Sequence, residues 1–264
     1  MSHQDVDYTY SSLDYYRKNH GKQLYYNWSG DIWWTLDPDQ GEQKLFSIIG
    51  MNATKVFLKM DPDRGEMGHR LNRELALYCD PDTHEVLSHW QNPAGETVSV
   101  VHIANRMVQG SLLEKFITVP RGQDYIAKET KFPLEYPHPL AEDSQFRAYC
   151  PGKTFNAQEL FTSHFARPGV TDVPPAAWNR DCPWLPWMKL GFEHPARLRF
   201  STTIQRVETF DELHPNLVSL VRDRLPMYEF TPDVCDEPNM TSLKYFKRYF
   251  SEYLEGQRFP VAES

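Results

Sequence analysis

The sequence predicts a mainly β protein with added helices, its strands forming an antiparallel barrel or sandwich. Three observations predict it. Short runs alternate apolar and polar residues through the first half of the 264-residue chain. Turn signals separate these runs at intervals of roughly 8–12 residues. Aromatic residues make up 14% of the chain and there are 20 prolines, which suits turns and rings better than a helix bundle. With 40% hydrophobic and 24% charged residues the chain is not disordered. No repeat, low-complexity tract or linker interrupts it, so residues 1–264 read as one domain.

The elements follow in order. Residues 1–20 read as an N-terminal arm with a short helix over Ser11–Asn19, capped by Ser11 or Ser12 and stopped by Gly21. Leu13 and Tyr16 would face inward. From Gln23 the period changes to two. Gln23–Trp28 and Asp31–Leu36 read as strands around a Ser29-Gly30 turn, and Lys44–Gly50 and Thr54–Met60 as two more. Arg73–Cys79 and Glu85–Gln91 flank the turn Asp80-Pro81-Asp82-Thr83. Asn92-Pro93-Ala94-Gly95 precedes a strand over Thr97–Asn105, and strands continue through Gly110–Val119 and Asp124–Lys131. Residues 21–131 would thus curl into a barrel or half-barrel, completed by a strand over Arg197–Val207. Residues 150–195 and 210–256 would supply helices and capping loops. Asn156–Ala166 reads as a helix with Asn156 as cap and Glu159 three residues on. Pro174–Pro186 reads as loop. Pro215–Leu225 reads as a helix with Pro in its first turn. Thr241–Glu255 reads as the last helix, with a stripe of Leu243, Phe246, Tyr249, Phe250, Tyr253 and Leu254.

Charge and motifs narrow the function. A net charge of −8 disfavours nucleic acid as a partner, because neutralising phosphates needs clustered Lys and Arg. No run of ~18 apolar residues is present, so no membrane span is expected. The polar, acidic stretch from Met1 to Tyr10 does not resemble a secretory signal. The four cysteines (79, 150, 182 and 235) have no close spacing, which suits free thiols in the cytoplasm. Asn27, Asn52 and Asn239 head glycosylation sequons that such a location leaves unmodified. Gly-x-Gly-x-x-Gly, the P-loop, His-Glu-x-x-His, Gly-x-Ser-x-Gly and paired CxxC motifs are all missing. No cofactor is therefore expected. Nor is a metal, since His84 lies in a turn and His89 and Trp90 point to opposite faces.

Several residues stand out as a candidate site. His102 is the polar member of an apolar row, Val98, Val100 and Ala104. It reads either as a core histidine satisfied by a hydrogen bond or as a general acid/base in an apolar pocket. Tyr136 and His138 sit between prolines in Glu135-Tyr136-Pro137-His138-Pro139, a stiff, extended loop able to hold a phenol and an imidazole against a carbonyl. With His102 they form the candidate catalytic set. Cys182-Pro183-Trp184-Leu185-Pro186-Trp187-Met188 is too apolar to stand free in water. It reads as a plug over a barrel end, as a pocket wall, or as both. Trp184, Trp187 and Met188 are accordingly candidate substrate-binding residues, with Trp33, Trp34, Trp90, Arg73 and Asn105. Arg73-Glu74 opens an otherwise apolar strand, so whichever of the two faces inward needs a partner or anchors a polar substrate group.

The stretches Arg73–Tyr78, Asp80–Thr83, Trp90–Pro93, Val100–Asn105, Pro183–Gly191 and Glu237–Phe246 together resemble an uncharacterised domain-of-unknown-function family of fungi and bacteria, over residues 21 to 250. The resemblance implies a β-rich, lipocalin-like barrel and, from the fungal members, processing of small molecules in secondary metabolism. It supplies no chemistry. The chain departs from the family pattern at Met240 and Leu243, where Glu and Trp are frequent, so no role carries over to those positions. Together these readings lead to an expected function: a cofactor-independent enzyme that folds an apolar polyene, terpenoid or polyketide for cyclisation or isomerisation, pericyclic chemistry included. A small-ligand carrier, and a dehydratase or hydrolase with His/Asp machinery, are the rival expectations.

Overall fold

The computed structural model describes residues 6–37, 39, 41–112, 116–192, 194–234 and 239–258. After a short strand β1 (Tyr8–Ser11) comes helix α1 (Ser12–Asn19), capped by the Ser11 side chain, which accepts from the Leu13 backbone N–H at 3.2 Å. Then follow β2 (Leu24–Thr35), β3 (Gln43–Asp61), β4 (Gly65–Cys79), β5 (His89–Gln91), β6 (Thr97–Ser99), β7 (Ile103–Leu112), β8 (Phe116–Val119) and β9 (Tyr125–Pro137). The remaining strands are β10 (Thr154–Ala166), β11 (Ala176–Pro183) and β12 (Arg197–Val207). Helices α2 (Pro215–Arg224), α3 (Ser242–Arg248) and α4 (Phe250–Leu254) end the chain. Eight strands form one antiparallel sheet in the order β7-β4-β3-β2-β12-β11-β10-β9, curled into a half-barrel with β7 and β9 at its edges. The expected class, mainly β with a half-barrel, is the one observed.

The routing differs from expectation in six places. Thr154–Ala166 is a strand, not a helix. It pairs along thirteen positions with β9 and five with β11, and those ladders outweigh the helix-capping pattern of Asn156 and Glu159. Ala176–Pro183, expected as loop, is β11, because only Pro174, Pro175 and Pro183 fall at or beyond its ends. Ser29-Gly30 is not a turn. Gly30 lies mid-strand opposite Thr202 and Ile48, and a Cβ there would stand 2.0 Å from the Ser201 carbonyl oxygen. Lys44–Gly50 and Thr54–Met60 likewise merge into β3. The last helix breaks at Tyr249, whose φ of −113° and ψ of 34° separate α3 from α4. The strand expected over Thr97–Asn105 is also interrupted, between Ser99 and Ile103. Cys235 and the Glu237-Pro238 part of the last motif lie outside the described residues.

Both faces of the sheet are covered, so each strand sorts its side chains by parity. On the convex face Met51, Ala53, Leu75, Leu77 and Ala104 pack beneath Leu217 and Val221 of α2. On the concave face Trp28, Phe46, Ile48, Tyr78, Leu198 and Phe200 meet Trp184, Trp187, Tyr245 and Phe246 from the covering segments. Gly50 makes this arrangement possible. A Cβ at Gly50 would fall 2.2 Å from the Trp28 indole, which lies across that backbone. Gly50→Ala should therefore push the indole off its bed and lower stability by about 1–3 kcal/mol, the usual cost of overpacking. Chemical denaturation measures it; a variant as stable as the parent would show that the indole moves freely.

Candidate active site

The concave face encloses a cavity of about 630 Å³, a size typical of small-molecule sites. Trp28, Trp178, Phe155, Phe161 and Phe200 give it an aromatic wall. The wall is braced edge-to-face, with Trp28 and Trp178 ring centroids 5.8 Å apart. Among the described residues the indole N–H groups of Trp178 and Trp187 find no acceptor.

A polar row crosses this wall. Parity on β4 turns Arg70, Asn72 and Glu74 inward, while Leu71, Arg73 and Leu75 go outward. The Glu74 carboxyl accepts from Asn105 Nδ2 on β7 at 2.6 Å and from Asn52 Nδ2 on β3 at 3.0 Å. Each amide is held in turn. Asn105 Oδ1 accepts from the Ser242 backbone N–H at 2.7 Å and from its hydroxyl at 3.2 Å, which leaves Nδ2 for Glu74. Asn52 Nδ2 also donates to Asn72 Oδ1, which takes a second bond from Thr54 Oγ1 at 2.7 Å. Burial raises the Glu74 pKa above the ordinary carboxyl value, against the pull of the two amides. Glu74 is therefore a stronger base than a carboxylate in water.

A second cluster faces it from β10 and β11. Glu159 and Arg180 are direct cross-strand partners, with an ion-pair distance of 3.5 Å, and the guanidinium sits 5.4 Å from the Phe155 ring centre. Burial works against the Arg180 cation, but Cys182, Glu159, Tyr136 and Tyr78 around it hold it charged and raise its pKa. Burial raises the Tyr136 phenol, with Arg180 opposing. Burial likewise holds Tyr78 un-ionised. The cavity thus joins a carboxyl base, a fixed cation and phenol donors inside an apolar wall. Residues 21–250 match the family model described as a protein of unknown function (DUF1838). The chain belongs to that family. No curated protein and no solved structure matches it.

Three of the residues singled out in the sequence of this DUF1838 chain line the cavity: Asn105, Tyr136 and Trp187. Tyr136 is the tail of β9 rather than a free loop, and its ring stacks on Phe155 at 5.2 Å. The other candidates lie outside the lining. His102 is a core histidine. Its Nδ1 accepts from the Tyr78 backbone N–H at 3.1 Å, it is also bonded to the Leu87 backbone, and burial lowers its pKa to about 3. His138 is buried beside Phe155. It accepts from the Leu140 N–H at 3.2 Å, and burial lowers its pKa to about 4. Arg73 faces the convex side. Trp33 turns outward under the Arg199 guanidinium, 5.8 Å away. Trp34 and Trp90 touch each other below the cavity, 5.9 Å between centroids, and Trp184 and Met188 are fully buried. Leu185, Pro186 and Trp187 form part of the cavity wall, and Asn92 pins the segment by donating its amide to the Met188 and Lys189 carbonyls. Among the described residues no three His, Cys, Asp or Glu side chains gather as metal ligands. Among the described residues no helix is long and apolar enough to cross a membrane.

Sequence reading weighed Glu74 only as the in-facing alternative to Arg73, which it chose, and missed Glu159 and Arg180. The signal for Glu74 was present in parity, since it shares a face with Asn72 and Tyr78. Glu159 and Arg180 were hidden by the helix and loop assigned to their strands. The two buried imidazoles set a pH dependence. Both folded pKa values lie below the ordinary 6.5, so the neutral rings stabilise the fold above that pH, and the stability drains away as pH falls toward about 4 and then about 3. The urea midpoint should decline steadily below pH 6.5. His102→Asn with His138→Asn, which keep an acceptor in place of each Nδ1, should flatten that decline; an unchanged slope would assign the acid lability to other groups.

Proposed function

We propose that this protein is a cofactor-independent isomerase or cyclase of small-molecule metabolism. Its substrate is a largely apolar polyene, terpenoid or polyketide carrying a carbonyl or hydroxyl. One observation carries the reading: a carboxyl of raised pKa, gripped by two oriented amides, set into an aromatic-walled cavity of about 630 Å³. Neither Asn Nδ2 can receive a proton, so the open lone pairs of Glu74 are the ones that take a proton from the substrate. Arg180 and Tyr136 polarise the adjacent carbonyl, and the proton returns from Glu74 to another carbon of the same molecule. Atoms are conserved, and product and substrate have equal mass. Where the reaction is pericyclic, the aromatic wall supplies the reactive conformer and the polar groups only orient it. His102 and His138 lie outside the cavity lining, each with its Nδ1 already accepting a backbone N–H, which leaves the proton work to the carboxyl.

The test is incubation with conjugated polyene ketones and polyketide intermediates without added cofactor, read by mass spectrometry and chromatography. A rearranged product of unchanged mass is expected. Loss or gain of water would replace the reading by a dehydratase or hydrolase, and tight binding without turnover by a carrier. In Glu74→Gln, turnover should fall by roughly a hundred- to ten-thousandfold, the usual range for general-base loss, with substrate still bound. In the parent, kcat/KM should rise with pH through a break above the ordinary carboxyl range, because the base acts ionised and its pKa is raised. Full activity in Glu74→Gln would remove Glu74 from the chemistry.

A further inference from the structure

The far end of the polar row holds a charge that the proposed reaction does not use. Arg70 lies four residues before Glu74 on β4 and faces the same cavity. Four strand residues span about 13 Å. Its surroundings are phenols and amides, not acids. Its guanidinium carbon sits 6.0 Å from the Tyr26 ring centre, Tyr15 of α1 hydrogen-bonds to it, and Gln109 stands opposite on β7. Tyr15 and Tyr26 are joined to each other through their hydroxyls at 3.2 Å. Among the described residues no carboxylate pairs with Arg70, whereas Arg180 in the same cavity has Glu159. Arg70 is half-buried; a guanidinium stays charged in proteins, and partly shielding it from water without an anion carries a cost.

We propose that Arg70 anchors an anionic head, a carboxylate, on an elongated apolar substrate whose reacting portion lies at Glu74. This rests on the cavity being a site for apolar small molecules and specifies their class: long, unsaturated carboxylic acids or their cyclised relatives. One planar guanidinium with its fork of donors matches one carboxylate, and the Tyr15 and Tyr26 hydroxyls add donors beside it. The anchor also explains why α1, outside the half-barrel, brings Tyr15 to the cavity rim. With the head fixed, about 13 Å of chain along β4 sets which carbon meets Glu74, so Arg70 chooses the position of reaction.

The experiment is a fluorescence titration with a conjugated tetraenoic fatty acid and with its methyl ester, whose emission rises on entering an apolar cavity. The parent should bind the acid roughly ten- to a hundredfold more tightly than the ester, the range of a charge-assisted hydrogen-bonded pair. Arg70→Gln should erase the preference while leaving ester binding alone. Arg70→Met, which keeps the packing of the stem, should do the same and serves if the first variant does not fold. Equal binding of acid and ester by the parent would overturn the anchor and leave the apolar-cavity reading standing. So would an acid preference that survives in a folded variant. Binding of neither probe would overturn both.

Discussion

The structure depends on one constraint: both faces of a single sheet are covered, so no strand can shift by one residue. On β4 the odd positions Leu71, Arg73, Leu75 and Leu77 lie outward, toward the face α2 covers, and the even positions Arg70, Asn72, Glu74 and Tyr78 look into the cavity. A slip of one position would drive the charges under α2 and turn the leucines toward the ligand space. Fifteen register pairs with β3 and ten with β7 hold it in place. The site is in this sense a by-product of sheet covering, since committing the leucines to the face α2 covers leaves Arg70, Asn72 and Glu74 turned to the cavity.

Placing charge there requires compensation, and the concave face supplies it locally. Glu74 has two amides, Glu159 has Arg180, and Asn72 collects a hydroxyl and an amide. The apolar wall needs its own accommodation. The Trp28 indole lies flat only because residue 50 has no side chain, and it meets Trp178 edge-on rather than face-on. Polar floor and aromatic wall share strands: β11 carries both Trp178 and Arg180, and β10 carries Phe155, Glu159 and Phe161.

Much of the fold was legible because period-two alternation and turn residues are local properties. Arg197–Val207 was read to the residue, and α1 with its Ser11 cap and α2 with its first-turn proline were clear. What failed was non-local. Asn156 with Glu159 has the spacing of a helix start, and nothing nearby reveals that β9 and β11 flank the segment on both sides. Gly30 looks like a turn residue and Gly50 like a strand end, yet both lie inside strands, emptied to admit a neighbouring backbone and an indole. The site suffered from the same limit. Tyr136, Asn105 and Trp187 were found by residue type. The histidines attracted attention by type as well, and His102, bonded to the Tyr78 backbone, shows that a chemistry-bearing residue in an apolar row can simply be core.

Asn105 is the only side chain that touches both Glu74 and the start of α3 through hydrogen bonds identified among the described residues, by way of Ser242. That single amide makes two quantities reciprocal. If seating α3 against the rim orients Asn105 and stabilises the ionised carboxyl, then ionising the carboxyl must stabilise the seated helix by the same free energy. Proton occupancy at the cavity floor and mobility of the C-terminal segment are then coupled variables. A proton taken up by Glu74 loosens the covering helix, and a helix held down by a ligand makes Glu74 a weaker base.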